Sequence, residues 1–353
     1  MYTKSKYSPM EMIKWTSHDI IKFFILALIP VVLYEVFDLK WLHLPWLPIA
    51  LIGTAVAFVI GFQNNASYDR IWEARKIWGG IVNASRSWGI LVNDFITNEF
   101  ATEKASEEEL KQLKKTLIYR HIAWMTSLRH AMRASKPWEH FLHFKTNRSW
   151  SEMAGIREFK YTLEEELKPY VSEQDFKYLL SKTNKATHAI SLQSKQLKEL
   201  KRRGLIEDFR HMEMENMLIE LLSLQGKSER IKNFPYPRQF ASLNHYFVWL
   251  FLILLPFGIM HEFDSIGTNI LENYPYIGKY FVWLSIPFSA IVSWVFHTME
   301  RIGRTGENPF EGTANDVPIT TMSRGIEIDL REMLDEDPKN IPNPIKANFD
   351  IEM

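Results

Sequence analysis

The chain is predicted to be an all-α membrane protein, and three observations carry that expectation. Four apolar runs each approach the length of one spanning helix, the stretch between the second and third is charge-rich with apolar residues at helical spacing, and no β-hairpin signal is present. The runs cover about residues 20–37, 44–62, 240–260 and 280–299. In the second, 19 uncharged residues at ~1.5 Å each reach ~28 Å, nearly the hydrocarbon thickness of a bilayer. The first contains Pro30 and Glu35, and Lys22 can carry its ammonium to the interface. Charged flanks and the lack of a small-residue cleavage site make it a retained span instead of a signal peptide. Pro256 and Pro287 are expected to interrupt the last two helices, leaving carbonyls for neighbouring helices or water to satisfy.

The expected organisation is therefore residues 1–62 with two spanning helices, a helical cytoplasmic domain over 63–239, two further spans over 240–299, and a cytoplasmic segment over 300–353. Ser106 with Glu109 reads as a capping box and Ser172 as a second helix start, while Lys136-Pro137 and Lys168-Pro169 mark breaks. Residues 239–278 hold no Lys or Arg but include Glu262, Asp264 and Glu272. That connection is accordingly placed outside, with 63–239 and both termini in the cytoplasm. The proline-bearing tail over 337–353 is expected to wrap a neighbouring subunit or to stay disordered.

Composition removes several function classes. With 42 basic and 42 acidic residues, no global field points to nucleic acid. The absence of cysteine excludes disulfides, thiolate nucleophiles and Cys-ligated metals. His121 with His130, and His140 with His143, are metal or proton sites in principle, but no HExxH, GxSxG, GxxxxGK or GxGxxG pattern accompanies them. They read as surface or core histidines, so no metal, cofactor or catalytic residue is assigned. Gly303-Arg304-Thr305-Gly306 is too short for a phosphate cradle.

The second span passes without a linker into charged sequence. Thr54, Phe58 and Phe62 recur at four-residue intervals, drifting ~40° per step, and form a short stripe on one helix face. Taken alone, that stripe reads as ordinary helix packing. Asn64, Asn65 and Ser67 follow, able either to solvate an ion of either sign or to cap the helix. Arg70 and Glu73, at i,i+3, are expected to pair with each other.

Gly61-Phe62, Asn64-Asn65-Ala66-Ser67-Tyr68-Asp69-Arg70 and Trp72-Glu73-Ala74-Arg75 closely resemble the motif of the bestrophin family of ion channels, bacterial members included. Ser228-Glu229-Arg230-Ile231-Lys232-Asn233-Phe234-Pro235-Tyr236-Pro237, Leu255-Pro256-Phe257-Gly258 and Asn308-Pro309-Phe310-Glu311-Gly312-Thr313-Ala314-Asn315-Asp316-Val317-Pro318 agree, in the family's order. The likeness is weakest between about residues 98 and 204. The resemblance implies a homopentamer around one axial pore, surrounded by membrane lipid, with a narrow neck at Thr54, Phe58 and Phe62 and pore-adjacent polar residues Asn64, Asn65 and Ser67. It also implies a second, cytosolic constriction near Ile206 or Phe209. Animal members use an acidic calcium clasp after the Asn-Pro-Phe motif, but only Glu311 and Asp316 are present here, too few carboxylates for a hard cation that takes about six to eight oxygens.

The expected function is passive conduction of small monovalent ions. Animal relatives conduct chloride whereas bacterial relatives favour monovalent cations such as sodium. An anion is preferred here because Phe58 and Phe62 match the animal neck and phenyl ring edges carry partial positive charge. The expected location is a bacterial inner membrane. A membrane enzyme using the histidines with Asp69 and Glu73, and a membrane-anchored interaction protein, are the rivals from other classes.

Overall fold

The computed structural model describes residues 1–101, 103–139 and 145–353 and is helical nearly throughout. The first helices are α1 (Pro9–Glu35), α2 (Trp46–Phe95), α3 (Glu107–Arg133), α4 (Lys145–Ala154), α5 (Arg157–Lys160) and α6 (Leu163–Leu167). There follow α7 (Glu173–Leu180), α8 (Lys185–Arg202), α9 (Asp208–Asn233), α10 (Arg238–Ile270), α11 (Pro275–Tyr280), α12 (Ser285–Gly306) and α13 (Ile319–Glu332). Among the described residues no β-strand forms, only isolated bridges of Ile351 with Tyr2 and Asn348. His140 and His143 lie outside the described residues.

Contacts divide the chain into two compact units, and α2 contributes residues to both. Residues 4–69 and 235–307 form the apolar unit. Its helices account for the four among the described residues that are long and apolar enough to cross a membrane: Pro9–Glu35, Lys40–Phe95, Arg238–Ile270 and Pro275–Gly306. Helix α1 begins at a full capping box: Ser8 Oγ accepts from Glu11 N at 3.2 Å, the Glu11 carboxylate accepts from Ser8 N at 2.7 Å, and Pro9 supplies the fixed φ of a first turn. Inside the unit, Phe23 of α1 packs with Val248, Leu252 and Leu255 of α10 and Ala290 of α12. Phe24, Ile25 and Ile29 of α1, Ile253 of α10 and Ile291 and Val295 of α12 are instead left exposed. So many bare apolar side chains on helices of this length make the chain a multi-pass membrane protein.

The prolines behave differently from one another. Pro256 sits within an α10 that continues on both sides of it. Pro287, expected to interrupt the fourth span, lies in the first turn of α12, where its missing N–H has no intrahelical partner to lose. The irregularity falls just upstream, in a 3₁₀ turn over Phe281–Leu284.

The polar unit holds residues 1–3, 70–234 and 308–353. Its core gathers Trp78 and Trp88 of α2, Leu117, Trp124 and Leu128 of α3, Leu197 of α8 and Leu221 of α9, all 0% exposed. Both anticipated helix starts form: Ser106 Oγ accepts from Glu109 N and Ser172 Oγ from Asp175 N, each at 3.1 Å, but the expected box at Ser106 is only half made, because the Glu109 carboxylate accepts from Arg203 instead. The tail, expected to wrap a neighbouring subunit or to stay disordered, is anchored at its end on its own chain. Ile351 and Met353 bury their side chains with Ala154 and Ile156 of the same chain, and Asn348 Nδ2 donates to Ala154 O at 3.1 Å.

His121 sits at the centre of this core, its Nε2 2.9 Å from Ser85 Oγ. Complete burial among apolar and aromatic groups lowers its pKa from 6.5 to about 3. The unfolded chain therefore takes up a proton near pH 6.5 that the folded chain refuses until about pH 3, so stability falls as pH drops through that window. Between pH 7 and pH 5 this one group removes about 2 kcal/mol, at about 1.4 kcal/mol per pH unit below 6.5. The expected result is a clear drop in thermal midpoint in detergent from pH 7 to pH 5, with most of the drop missing in His121→Gln. An equal drop in both proteins would contradict the assignment.

Candidate ion pathway

Within the apolar unit, the first part of α2 has one face packed and one face bare. Ile49, Val56 and Ile60 are buried in a single cluster with α1, α10 and α12. On the opposite face Phe58 and Phe62 are 66% and 70% exposed, and Thr54 is also exposed, its hydroxyl donating to Ala50 O at 2.9 Å. Together with Ala50, Gly61 and Asn65 these three residues edge a groove of about 920 Å³, whose far wall includes Phe251, Leu255 and Phe296. Gly53 sets how closely that wall approaches, since a Cβ there would stand 2.6 Å from the Phe251 ring.

The polar residues that end the apolar run are divided between the two faces. Asn65 is exposed and edges the groove. Ser67 is buried and donates to Gly303 O of α12 at 2.7 Å. Asn64 places its buried Oδ1 against Gly303, where any larger residue would collide with it. Gln63, 1% exposed, donates from Nε2 to Glu307 Oε1 at 3.1 Å and accepts from Asn244 Nδ2 at 3.3 Å. Arg238 Nη2 completes the group, donating to Glu307 Oε2 at 2.7 Å. Sequence reasoning missed Gln63, Asn244, Arg238 and Glu307, although a glutamine at the end of an uncharged run and an acid directly before Asn308-Pro309 were legible signals.

The expected pair of Arg70 with Glu73 does not form. Arg70 Nη2 donates to the carbonyls of Ile231 and Phe234, each at 3.0 Å, and Glu73 pairs with Arg230. The last turn of α9 leaves carbonyls without intrahelical donors, and these attract the guanidinium more strongly than an exposed carboxylate one turn away.

The two aperture candidates separate by burial. Ile206 is 3% exposed and belongs to the polar unit's core, whereas Phe209, in the first turn of α9, is 76% exposed. In the loop after Asn308, Asp316 accepts from Gly312 N at 2.6 Å and from the Thr313 hydroxyl, and Arg133 Nη1 lies 3.4 Å from its Oδ2. A guanidinium and backbone donors thus fill the positions around this carboxylate. His130 Nε2 lies 2.7 Å from Glu166 Oε2, apart from the His121 contact with Ser85. No group of three metal-ligating side chains converges among the described residues.

Comparison with known proteins agrees with this architecture. The voltage-dependent anion channel-forming protein YneE of Escherichia coli strain K12 is 26% identical over 289 residues, covering 82% of this chain and 77% of the relative. The similarly named RSc3414 of Ralstonia nicotianae is 26% identical over 304 residues, covering 83% of this chain and 82% of its own. The crystal structure of a bacterial bestrophin homolog from Klebsiella pneumoniae matches the fold with a TM-score of 0.68 at 22% identity, over 90% of this chain and 98% of that one. The model of the bacterial and fungal bestrophin proteins matches residues 11–332, and the chain belongs to that family.

Proposed function

We propose that the chain is the subunit of a homopentameric channel that passes small monovalent anions, chloride foremost, through a neck formed by Thr54, Phe58 and Phe62. The observation that carries this reading is the bare stripe itself: two phenyl rings and a threonine on the unpacked face of a helix whose opposite face is fully engaged. Repeated around an axis, such a stripe becomes stacked collars. Collars of phenyl rings gate by dewetting and present ring edges of partial positive charge to a passing anion. The relatives' names as anion channel-forming proteins support the sign of the ion.

Asn65 lies on the groove side and would form the polar collar next to Phe62, while Asn64 and Ser67 act from behind, on α12. Phe209, being exposed, is preferred to Ile206 as the cytosolic constriction. The remaining apolar surface would contact membrane lipid, and the lack of Lys and Arg over residues 239–278 supports an orientation with both termini in the cytoplasm of a bacterial inner membrane. Conduction of this kind is passive and uses no catalytic residue or cofactor.

Purified protein in a planar bilayer with a KCl gradient should reverse near the chloride equilibrium potential. Reversal near that of potassium would assign a cation pathway, and no conductance at all would remove the channel reading. In the same bilayers Phe58→Ala or Phe62→Ala should raise single-channel conductance by a factor of about two or more, because dewetting depends steeply on collar radius and polarity. Glu107→Gln, at the start of α3, serves as the control, and unchanged currents in both phenylalanine variants would take these side chains out of the pore. Native mass measurement in nanodiscs should give five chains per particle, and a monomer or dimer as the sole species would exclude the ring.

A further inference from the structure

The polar unit contains a cavity that plays no part in the conduction reading. It has a volume of about 360 Å³ and lies between α3, the α5–α6 region and α13. Arg129, Arg157 and Arg324 line it, as do Glu165, Glu166 and Glu327. The charges are equal in number, but the hydrogen-bonding capacity is not.

Each lining carboxylate is already engaged by the wall. Glu166 receives Arg129, His130 and Arg157. Burial opposes its ionisation, yet those bonds outweigh it and hold the carboxyl down to about 2, so it stays charged at any physiological pH. Glu327 accepts from the Tyr170 hydroxyl at 2.6 Å and from Arg331 Nη1 at 3.3 Å, and its Oε2 forms an ion pair with Arg324 Nε at 3.2 Å. Glu165 is taken up by the N-terminus of α6, where Thr162 N donates to it at 2.8 Å and the Thr162 hydroxyl at 3.1 Å.

The donors, in contrast, are in surplus. Arg157 uses only its Nε, toward Glu166, and Arg324 only its Nε, toward Glu327, so the terminal nitrogens of both guanidiniums have no hydrogen-bond partner among the described residues. Arg129 is 6% exposed and its Nε is buried without a partner. The hydroxyls of Thr126 and Tyr161 at the same cavity likewise have no hydrogen-bond partner among the described residues, and the Arg157 guanidinium is stacked on the Tyr161 ring at 4.9 Å. The rest of the lining is Ile122, Met125, Pro169, Tyr170 and Ile345, with the hydroxyls of Thr320 and Ser323, which donate to Glu158 and to Ile319 O. A cavity of this size falls in the range of roughly 300–1,000 Å³ that holds small organic ligands.

We propose that this cavity is a binding site for a small organic phosphate, its phosphoryl oxygens held by the terminal nitrogens of Arg157 and Arg324 and its body by Tyr161, Tyr170 and Pro169. A wall whose spare groups are chiefly guanidinium donors, against one free carboxylate oxygen on Glu165, favours an acceptor-rich ligand. Two guanidinium forks match the geometry of an oxyanion, and a phosphate monoester brings three acceptor oxygens and about −1.5 to −2 of charge at pH 7, where a carboxylate brings two oxygens and one charge. Glu165 stands near this anion as a like charge and tunes the affinity downward. The site is independent of whether the chain conducts ions.

Titration calorimetry on the full chain in nanodiscs tests this with phenyl phosphate as the probe. Saturable one-site binding is expected, at least tenfold tighter than that of benzoate or inorganic phosphate. Arg324→Gln should weaken it about tenfold or more, and Glu165→Gln, which keeps an acceptor for the α6 N-terminus, should leave it unchanged or tighter. Arg157→Gln should weaken it as well; because Arg157 also bridges Glu166, Arg324→Gln carries the decision if the Arg157 variant loses its thermal midpoint. No saturable heat at millimolar phenyl phosphate would overturn the proposal, as would equal binding in wild type and Arg324→Gln. Benzoate binding as tightly as phenyl phosphate would overturn the phosphate assignment.

Discussion

Everything in the apolar unit depends on how α2 is held by α10 and α12. A helix packed through Ile49, Val56 and Ile60 alone would be free to rotate or slide, because apolar contacts are non-directional and lipid competes for the same surface. Direction comes from Glu307, 0% exposed, which receives Gln63 from α2 and Arg238 from α10. The Gln63 amide carbonyl receives Asn244 in turn, and Ser67 donates to Gly303 O one helical turn further on. Removing one member of a buried group of this kind leaves a desolvated charge or amide behind, a cost of about 3–5 kcal/mol for a broken buried ion pair. Rotation of α2 would break all of these bonds together, which fixes the direction in which Thr54, Phe58 and Phe62 face.

The polar unit uses buried charge differently. Its core is a conventional one of Trp78, Trp88, Trp124 and leucines, and the charged groups gather where α3 meets α5, α6 and α13. There Arg129, 6% exposed, is balanced by Glu158 and Glu166. Buried ion pairs of this kind add little net stability over an apolar core, but they penalise every alternative packing that separates them. Arg133 does the same for the loop after Asn308, donating to Phe310 O at 3.0 Å beside Asp316.

Much of this was legible in the sequence, and what was not has a common cause. The spans, the helix starts at Ser106 and Ser172, and the stripe at Thr54, Phe58 and Phe62 follow from periodicity and local capping, which a single chain displays. Pro287 misled because a proline three residues into a helix and one in its middle look alike until the helix start is known. Arg70 misled because its partners, the carbonyls of Ile231 and Phe234, are more than 150 residues away and backbone oxygens leave no mark in a sequence. Ser67 and Asn65 are two residues apart in one polar run, yet one faces α12 and the other the groove. A helix turns ~200° over two residues, so a polar cluster at a helix's membrane exit cannot all serve one side.

The stripe and the surface that faces outward on α1 are both exposed and both apolar in one chain, so exposure alone does not separate a pore from a membrane contact. What separates them is what lies alongside. Next to Phe58 and Phe62 the surface is cut back to Ala50, Ala57 and Gly61, leaving the groove, whereas Phe24, Ile25 and Ile29 on α1 project as a ridge of large side chains. Lipid chains wet a ridge without difficulty, but small residues spaced seven and four apart on one helix face are the surface against which another helix packs closely in a membrane, where no hydrophobic drive distinguishes protein from lipid. In the proposed ring, the neighbour's helix covers the small residues and the phenyl rings are left pointing along the axis. In that ring the same α2 face would supply both the seam between subunits and the narrowest part of the path.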